Sequence, residues 1–154
     1  MHSKIKIRAA VEDDLPILVE FEQGIISVER PFNDSLKQQK ICYYDIGALI
    51  KADTSIVMVA ENEGKIVASG YARIRQSKAH LKHEYDTYLG FMYVAAEHRG
   101  QGINQLIMQA LLTWGKDQGM RDFYLEAYAD NSSAIRAYEK MGFCQSLVEM
   151  KLSI

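Results

Sequence analysis

The sequence predicts a mixed α/β (α+β) fold in one domain, a central sheet with helices on both faces, and three observations predict it. The 154 residues are 48% hydrophobic, enough for one sizeable core and short for two. Two apolar runs meet across Asn62-Glu63-Gly64 in the first half, as an antiparallel hairpin does. Strand-helix-strand successions fill the second half, which requires parallel neighbours in the same sheet. No repeat, low-complexity tract or flexible linker divides the chain, so residues 1–154 are read as a single unit.

Lys4 to Ala10 alternates, with Ile5 and Ile7 on one face and Lys4, Lys6 and Arg8 on the other, which predicts a half-buried opening strand. Glu12, Asp13 and Asp14 suit the positive end of a helix, and Leu15, Leu18, Val19 and Glu22 continue it at helical spacing to about Val28. A weaker helical stretch covers Tyr44 to Lys51, and Ser55–Glu61 and Lys65–Arg75 form the hairpin strands. Thr87–Val94 is nearly continuous in aromatic and apolar residues, the pattern of a strand buried on both faces. Gly102–Gln118 carries Ile103, Leu106, Ile107, Ala110, Leu111 and Trp114 at helical period, with Gly119 placed to stop it. Phe123–Tyr128 reads as a short strand. Asp130 or Asn131 then caps a helix through Ala134, Tyr138 and Met141, and Gln145–Leu152 reads as a last strand. The expected order is β-α-α-β-β-β-α-β-α-β.

Composition restricts the function classes. Eighteen basic against 20 acidic side chains give a net charge of −2 and no basic stripe, which disfavours nucleic acid and anionic membranes as partners. No apolar run is long enough for a signal peptide or a membrane span, so a cytoplasmic location is expected. Cys42 and Cys144 lack CxxC spacing and are expected to be reduced thiols, with neither a disulfide nor zinc.

The most informative stretch is Arg99-Gly100-Gln101-Gly102-Ile103-Asn104, between a buried strand and an amphipathic helix. Unpaired amides at a helix start, the helix dipole and glycines that let the chain approach closely together make a seat for a pyrophosphate. Taken alone, two glycines equally describe a tight strand-to-helix turn. The spacing resembles the Arg/Gln-x-x-Gly-x-Gly/Ala motif of the GCN5-related N-acetyltransferases, the GNAT family. Asn131-Ser132-Ser133-Ala134, followed by Tyr138 and Gly142-Phe143, resembles the family's second motif, Asn-x-x-Ala with a Tyr-x-x-x-Gly-Phe ending. The two agree in order and spacing, and the resemblance runs from Lys4 to Leu152. One departure is Asn104, where the family has glycine or alanine; its side chain either adds a donor toward the phosphates or crowds them.

The resemblance implies a mixed sheet of six to seven strands and transfer of an acetyl group from acetyl-CoA (coenzyme A) to a primary amine, by direct attack in a ternary complex. It places pantetheine between the fourth and fifth strands, beside Met92, Tyr93 and Val94, and the pyrophosphate on the amides of Arg99, Gly100, Gln101, Gly102, Ile103 and Asn104. Asn131, Ala134 and Tyr138 complete the cofactor set. Tyr138 stands where the family often has a tyrosine beside the sulfur, and reads either as general acid to the departing thiolate or as an aromatic core residue. Glu126, twelve residues earlier, matches the Glu-to-Tyr spacing of members that act on protein N-termini. It reads as a base or as a solvated sheet-end carboxylate, with Glu84 as next choice. His80, His83 and His98 match no metal-ligand spacing and read as surface histidines, His83 being the alternative base.

The acceptor is usually met in this family by the first helices and their connection. Here that holds Glu29, Arg30, Phe32, Tyr43, Tyr44 and Asp45, which either clamp an amine-bearing ligand or fasten a long loop. Arg73 and Arg75 share one face of their strand and meet either a substrate anion or neighbouring acids. The acceptor class stays open between a small-molecule amine and a peptide or protein amine, and the assembly between monomer and homodimer. The alternatives to acetyl transfer are a longer acyl-CoA donor and a non-catalytic acyl-CoA-binding regulatory module.

Overall fold

The computed structural model describes residues 4–154. The alternation at the start becomes strand β1 (Ile5–Ala9). Helix α1 (Leu15–Glu29) follows an acidic 3-10 turn, with Pro16 in its first turn, where a missing amide proton costs nothing. Its buried stripe of Leu18, Phe21, Glu22 and Ile26 contains one carboxylate. That carboxylate accepts the backbone amides of Tyr43 and Tyr44 at 3.0 and 2.8 Å, which ties the long connection to the helix. Asp45 caps the short helix α2 (Ile46–Lys51) by accepting from the Ala48 amide at 3.1 Å.

Strands β2 (Ser55–Asn62) and β3 (Lys65–Gln76) join through Glu63 and Gly64, both at positive φ, which matches the right-handed twist of a tight hairpin. Strand β4 (Tyr85–Val94) precedes helix α3 (Ile103–Asp117), strand β5 (Phe123–Tyr124) and helix α4 (Ser132–Lys140). The sheet runs β1-β2-β3-β4-β5. Its first four strands are antiparallel and β5 is parallel to β4, as a helical crossover requires.

Each face of the sheet carries a core. On one, Ala68 and Leu89 of the sheet pack against Ile103, Ile107 and Leu111 of α3, with Tyr138 of α4 and Met141 just past its end against them. On the other, Leu18, Phe21, Ile46, Val57, Tyr71 and Phe91 pack under α1 and α2. The layered arrangement with helices on both faces is the expected one.

The far end of the sheet departs from expectation. It holds five strands rather than six to seven, and the ladder of β5 stops at Tyr124 instead of Tyr128. Gln145–Leu152 is not a strand. Its alternation is real, but no sheet edge of its own chain receives it, and Val148, Met150 and Leu152 stand in solvent at 71, 90 and 83% exposure. A strand without a neighbour has no ladder to satisfy its backbone, so the pattern alone does not make one.

Candidate active site

The site begins with an irregularity in β4. Opposite Ser69 and Tyr71 of β3 stand Tyr93 and Gly90, so β4 carries one residue more than its partner in this interval. Phe91 takes the left-handed conformation there, at φ +58°, and the Ser69 hydroxyl donates to the Phe91 carbonyl at 3.0 Å. The bulge resets the alternation: Gly90 and Phe91 both face the α1 side, while Leu89, Met92 and Val94 face α3. Pairing with β5 holds only at Thr87 and Tyr88. Beyond Tyr88 the two strands part, and residues 89–94 border a wedge with no strand on their β5 side.

At the mouth of this wedge the chain turns through Ala96–His98 into Arg99-Gly100-Gln101-Gly102. Gly100 and Gly102 both adopt φ +77°, and a Cβ added at either would touch nothing within 4 Å. Their requirement is conformational. Gly102 is the N-cap of α3 and no side chain caps that end, so the first amides of a 15-residue helix face outward unpaired. Arg99 donates from Nε to the Val94 carbonyl at 2.9 Å, and its guanidinium lies 5.7 Å from the Tyr93 ring centroid, which fastens the turn to β4. Ile103 is buried in the core, so only its backbone is available to a ligand, while Asn104 is half-buried. The uncapped amides and the unpaired strand edge fit an elongated ligand with an anionic end, which is the chemistry of acetyl-CoA.

Tyr138 sits on α4 against the same core as Met92 and Val94, edge-on to Phe143 at 6.1 Å. Burial, and secondly the charge of Glu29, pushes its hydroxyl up to about 12, so it stays protonated at neutral pH. Asn131 caps α4 by accepting from the Ala134 amide at 3.3 Å. Glu126 is exposed just past β5. Its charge is felt by Tyr88, which burial chiefly pushes up to about 12, and by Tyr71. Glu126 therefore belongs with an aromatic and cationic wall on the α1 side of the sheet. Arg75 lies over Tyr88 at 4.8 Å and Tyr124 at 5.4 Å, and Arg73 over Tyr88 at 5.5 Å. Their shared face, expected from sequence, meets rings, and Arg75 also binds buried Asp86 at 2.5 Å.

His83 is part of a chain of hydrogen bonds, not a free surface group. Its Nδ1 lies 2.6 Å from Ser77 Oγ, which donates to Asp86 Oδ2 at 3.2 Å, and its Nε2 lies 2.9 Å from the Tyr124 hydroxyl. Because the Asp86 carboxylate only accepts, Ser77 spends its proton there and accepts from Nδ1–H. Neutral His83 then accepts from Tyr124 at Nε2. Glu84 is exposed, and its backbone carbonyl accepts the Ser77 amide at 2.9 Å. His98 Nε2 lies 3.2 Å from the Asn62 amide nitrogen.

The connection after α1 divides its residues between two tasks. Arg30 donates to the carbonyls of Lys37 and Gln39 at 2.7 and 3.1 Å and so closes its own loop, while Asp45 is committed to its cap. Phe32 stacks on Tyr128 at 6.2 Å, and Asn33 donates to the Tyr128 hydroxyl at 2.9 Å. Tyr44 packs edge-on to Tyr71 and Phe91 at 5.4 and 5.3 Å. Glu29, raised by burial, faces Tyr43, whose hydroxyl is itself pushed up, chiefly by burial and then by that carboxylate. A cavity of about 480 Å³ opens beside them, lined among others by Tyr43, Tyr44, Asp45, Leu49, Tyr71 and Arg73. Neither Tyr138 nor Glu126 lines it. Among the described residues no cluster of three or more His, Cys, Asp or Glu is arranged to hold a metal. No helix among them is long and apolar enough to cross a membrane.

Tyr71, Tyr88, Tyr124, Ser77 and Asp86 did not emerge from the sequence as site residues. The available signal was the two-residue spacing of Tyr71, Arg73 and Arg75, which places all three on one face of β3.

Comparison with known proteins agrees with this geometry. A family model described as the Acetyltransferase (GNAT) family matches residues 21–143, and the chain belongs to that family. N-alpha-acetyltransferase 30 of Schizosaccharomyces pombe is 38% identical over 58 residues, 38% of this chain and 39% of that protein. The match thus spans well under half of that relative. A tetramutant of the BH1408 protein of Bacillus halodurans shares the fold with a TM-score of 0.85 at 21% identity, over 97% of this chain and 99% of that one. A predicted acetyltransferase of Clostridium acetobutylicum, crystallised with acetyl-CoA, gives 0.73 at 18% identity over 97% and 96%.

Proposed function

We propose that this protein is an N-acetyltransferase that moves an acetyl group from acetyl-CoA to a primary amine in a ternary complex. The observation that carries the reading is the parting of β4 from β5 beside the uncapped start of α3. One offers backbone groups to an extended arm, the other unpaired amides to a pyrophosphate. Residues 99–104 would hold the phosphates and residues 92–94 the pantetheine. Bound acetyl-CoA supplies the acetyl group as an activated thioester.

The protein's own groups then perform proton management. Glu126, exposed and next to the wall of Tyr71 and Tyr88, takes the ammonium proton through water and leaves the amine nucleophilic. Arg73 and Arg75 stand on that wall and favour an acceptor with a negative or aromatic group near its amine. Tyr138, held protonated by burial, gives its proton to the departing sulfur. The 480 Å³ cavity is the place for the acceptor's remainder.

Thiol release from acetyl-CoA, measured with a panel of amines, amino acids and peptides, tests the reading beside Tyr138→Phe. Amine-dependent turnover that falls by about 10²-fold or more in the variant is the expected result. Equal turnover in Tyr138→Phe would remove Tyr138 from the chemistry. Acetyl-CoA binding without turnover on any amine would instead fit a module that binds acyl-CoA and performs no transfer.

A further inference from the structure

The hydrogen-bonded chain that ends at Tyr124 has its direction fixed from its buried end. Asp86 is buried and accepts Arg75 Nε on Oδ1 and the Ser77 hydroxyl on Oδ2, so both carboxylate oxygens are occupied and the Ser77 proton is committed. Ser77 can then only accept from His83 Nδ1–H, and the lone pair left on the ring, at Nε2, meets the Tyr124 hydroxyl at 2.9 Å. Both ring nitrogens are engaged, so His83 holds a proton in place and does not exchange one with an acceptor amine.

Tyr124 is the last ladder residue of β5, a strand joined to β4 only at Thr87 and Tyr88. So short a ladder restrains a strand end weakly, and the Tyr124 side chain supplies what it lacks. Its hydroxyl is tied to His83, and its ring centroid stands 5.8 Å from the imidazole and 5.4 Å from the Arg75 guanidinium. Alternation carries that restraint forward. Phe123 and Leu125 pack toward α3, which sends Tyr124 and Glu126 to the opposite face, where the charge of Glu126 reaches Tyr71 and Tyr88. Residues 125–128 have no ladder of their own, so the direction set at Tyr124 is the direction in which Glu126 leaves the sheet.

We propose that His83 is a positioning residue: through the Tyr124 hydroxyl it fixes the angle at which β5 parts from β4, and so places the Glu126 carboxylate beside the acceptor amine. The inference rests on the reading of Glu126 as base in the proposed transfer. Such a tie matters because a reacting group displaced by about 1 Å can lose about 100-fold in rate. Loss of the tie lowers kcat and spares the binding of acetyl-CoA, since the glycine turn follows the far end of β4, whereas His83 precedes its start.

Two measurements on the full chain test it. In nitrogen-15 spectra under mildly alkaline conditions, His83 is expected as the Nδ1–H tautomer. His83→Ala shifts the amides of residues 125–128, and His83→Gln restores them, because its side-chain carbonyl accepts from Tyr124. In thiol release from acetyl-CoA with an accepted amine, His83→Ala and Tyr124→Phe each lower kcat about 10–100-fold, with the Michaelis constant for acetyl-CoA within about twofold of wild type. The double variant loses no more than either single one, and His83→Gln recovers most of kcat. An Nε2–H tautomer, unmoved amides in His83→Ala, additive losses, or a His83→Gln as slow as His83→Ala would each overturn the inference, the last by making His83 itself the base. Undiminished kcat in His83→Ala and Tyr124→Phe beside a slow Glu126→Gln overturns it too. If Glu126→Gln turns over as fast as wild type, or no amine turns over, the base reading fails and takes the catalytic role of the tie with it, while the spectra still decide whether His83 holds residues 125–128.

Discussion

Replacing Gly102 by alanine separates the two reasons a glycine is needed at the start of α3. An added Cβ meets nothing within 4 Å, so crowding contributes nothing, whereas φ +77° costs an L-residue about 1–2 kcal/mol. If the turn keeps its shape, the whole cost falls on stability, and a loss of that size lowers Tm by about 2–8 °C for a chain of this length. If the turn relaxes to negative φ, stability is spared and the first amides of α3 rotate away, so coenzyme A binds about 5–25-fold more weakly for the same free energy. Thermal melts with and without coenzyme A, together with calorimetric titration, read both quantities on one sample. Asparagine tolerates the left-handed region, so Gly102→Asn recovers most of the loss, whichever way it falls. Alanine and asparagine variants that both match the wild type in Tm and affinity would refute the account of this turn.

Other consequences follow from named contacts. Arg8 holds Asp14 through two hydrogen bonds of 2.8 and 2.9 Å, which keeps that carboxyl below its usual range, so Asp14→Asn costs about 2 kcal/mol at pH 7. Because the folded-state pKa is depressed, this contribution is complete above the unfolded value near 4 and fades as pH falls through the folded one; denaturant midpoints at pH 7 and 3 should show the gap between variant and wild type closing. Gly24 lies under Tyr93, whose ring an added Cβ would approach to 2.7 Å. Gly24→Ala gains about 1 kcal/mol of helix propensity, which offsets much of the overpacking, but it displaces β4 at the wedge. A Michaelis constant for acetyl-CoA raised about fivefold at near-native stability is expected, and an unchanged constant would dissociate Tyr93 from cofactor placement. If Tyr138 is the acid we propose, its proton is lost only as pH rises through about 12, so an alkaline decline in rate below about pH 11 belongs to another group and persists in the residual activity of Tyr138→Phe.

The elements whose evidence is local were legible in the sequence. Ile103, Ile107 and Leu111 recur at helical period and are buried along α3, and Glu63-Gly64 turns the hairpin between the strands expected to flank it. The glycine turn at the start of α3 was equally readable, because two glycines before an amphipathic helix have a local meaning. The bulge was hidden, since Phe91 is a residue that rarely takes positive φ and does so here under the constraint of a core it fills. Hidden too was the chain from Tyr124 through His83 and Ser77 to Asp86, which joins residues 77–86 to Tyr124 only once β5 lies beside β4. Val148 to Leu152 shows the converse: the alternation predicts a strand, and the structure forms no ladder there, leaving its apolar side chains exposed.

The extra residue in β4 divides one strand between two duties. At Thr87 and Tyr88 it is an interior member, paired on both sides; beyond them it is bound to β3 alone. Whatever fills the wedge therefore acts as a removable piece of the sheet, and its binding free energy adds to the stability of the folded chain in proportion to RT ln(1 + [L]/Kd). Amide hydrogens of residues 89–94 would feel that addition first, while those on the β3 side stay protected whether the wedge is filled or empty.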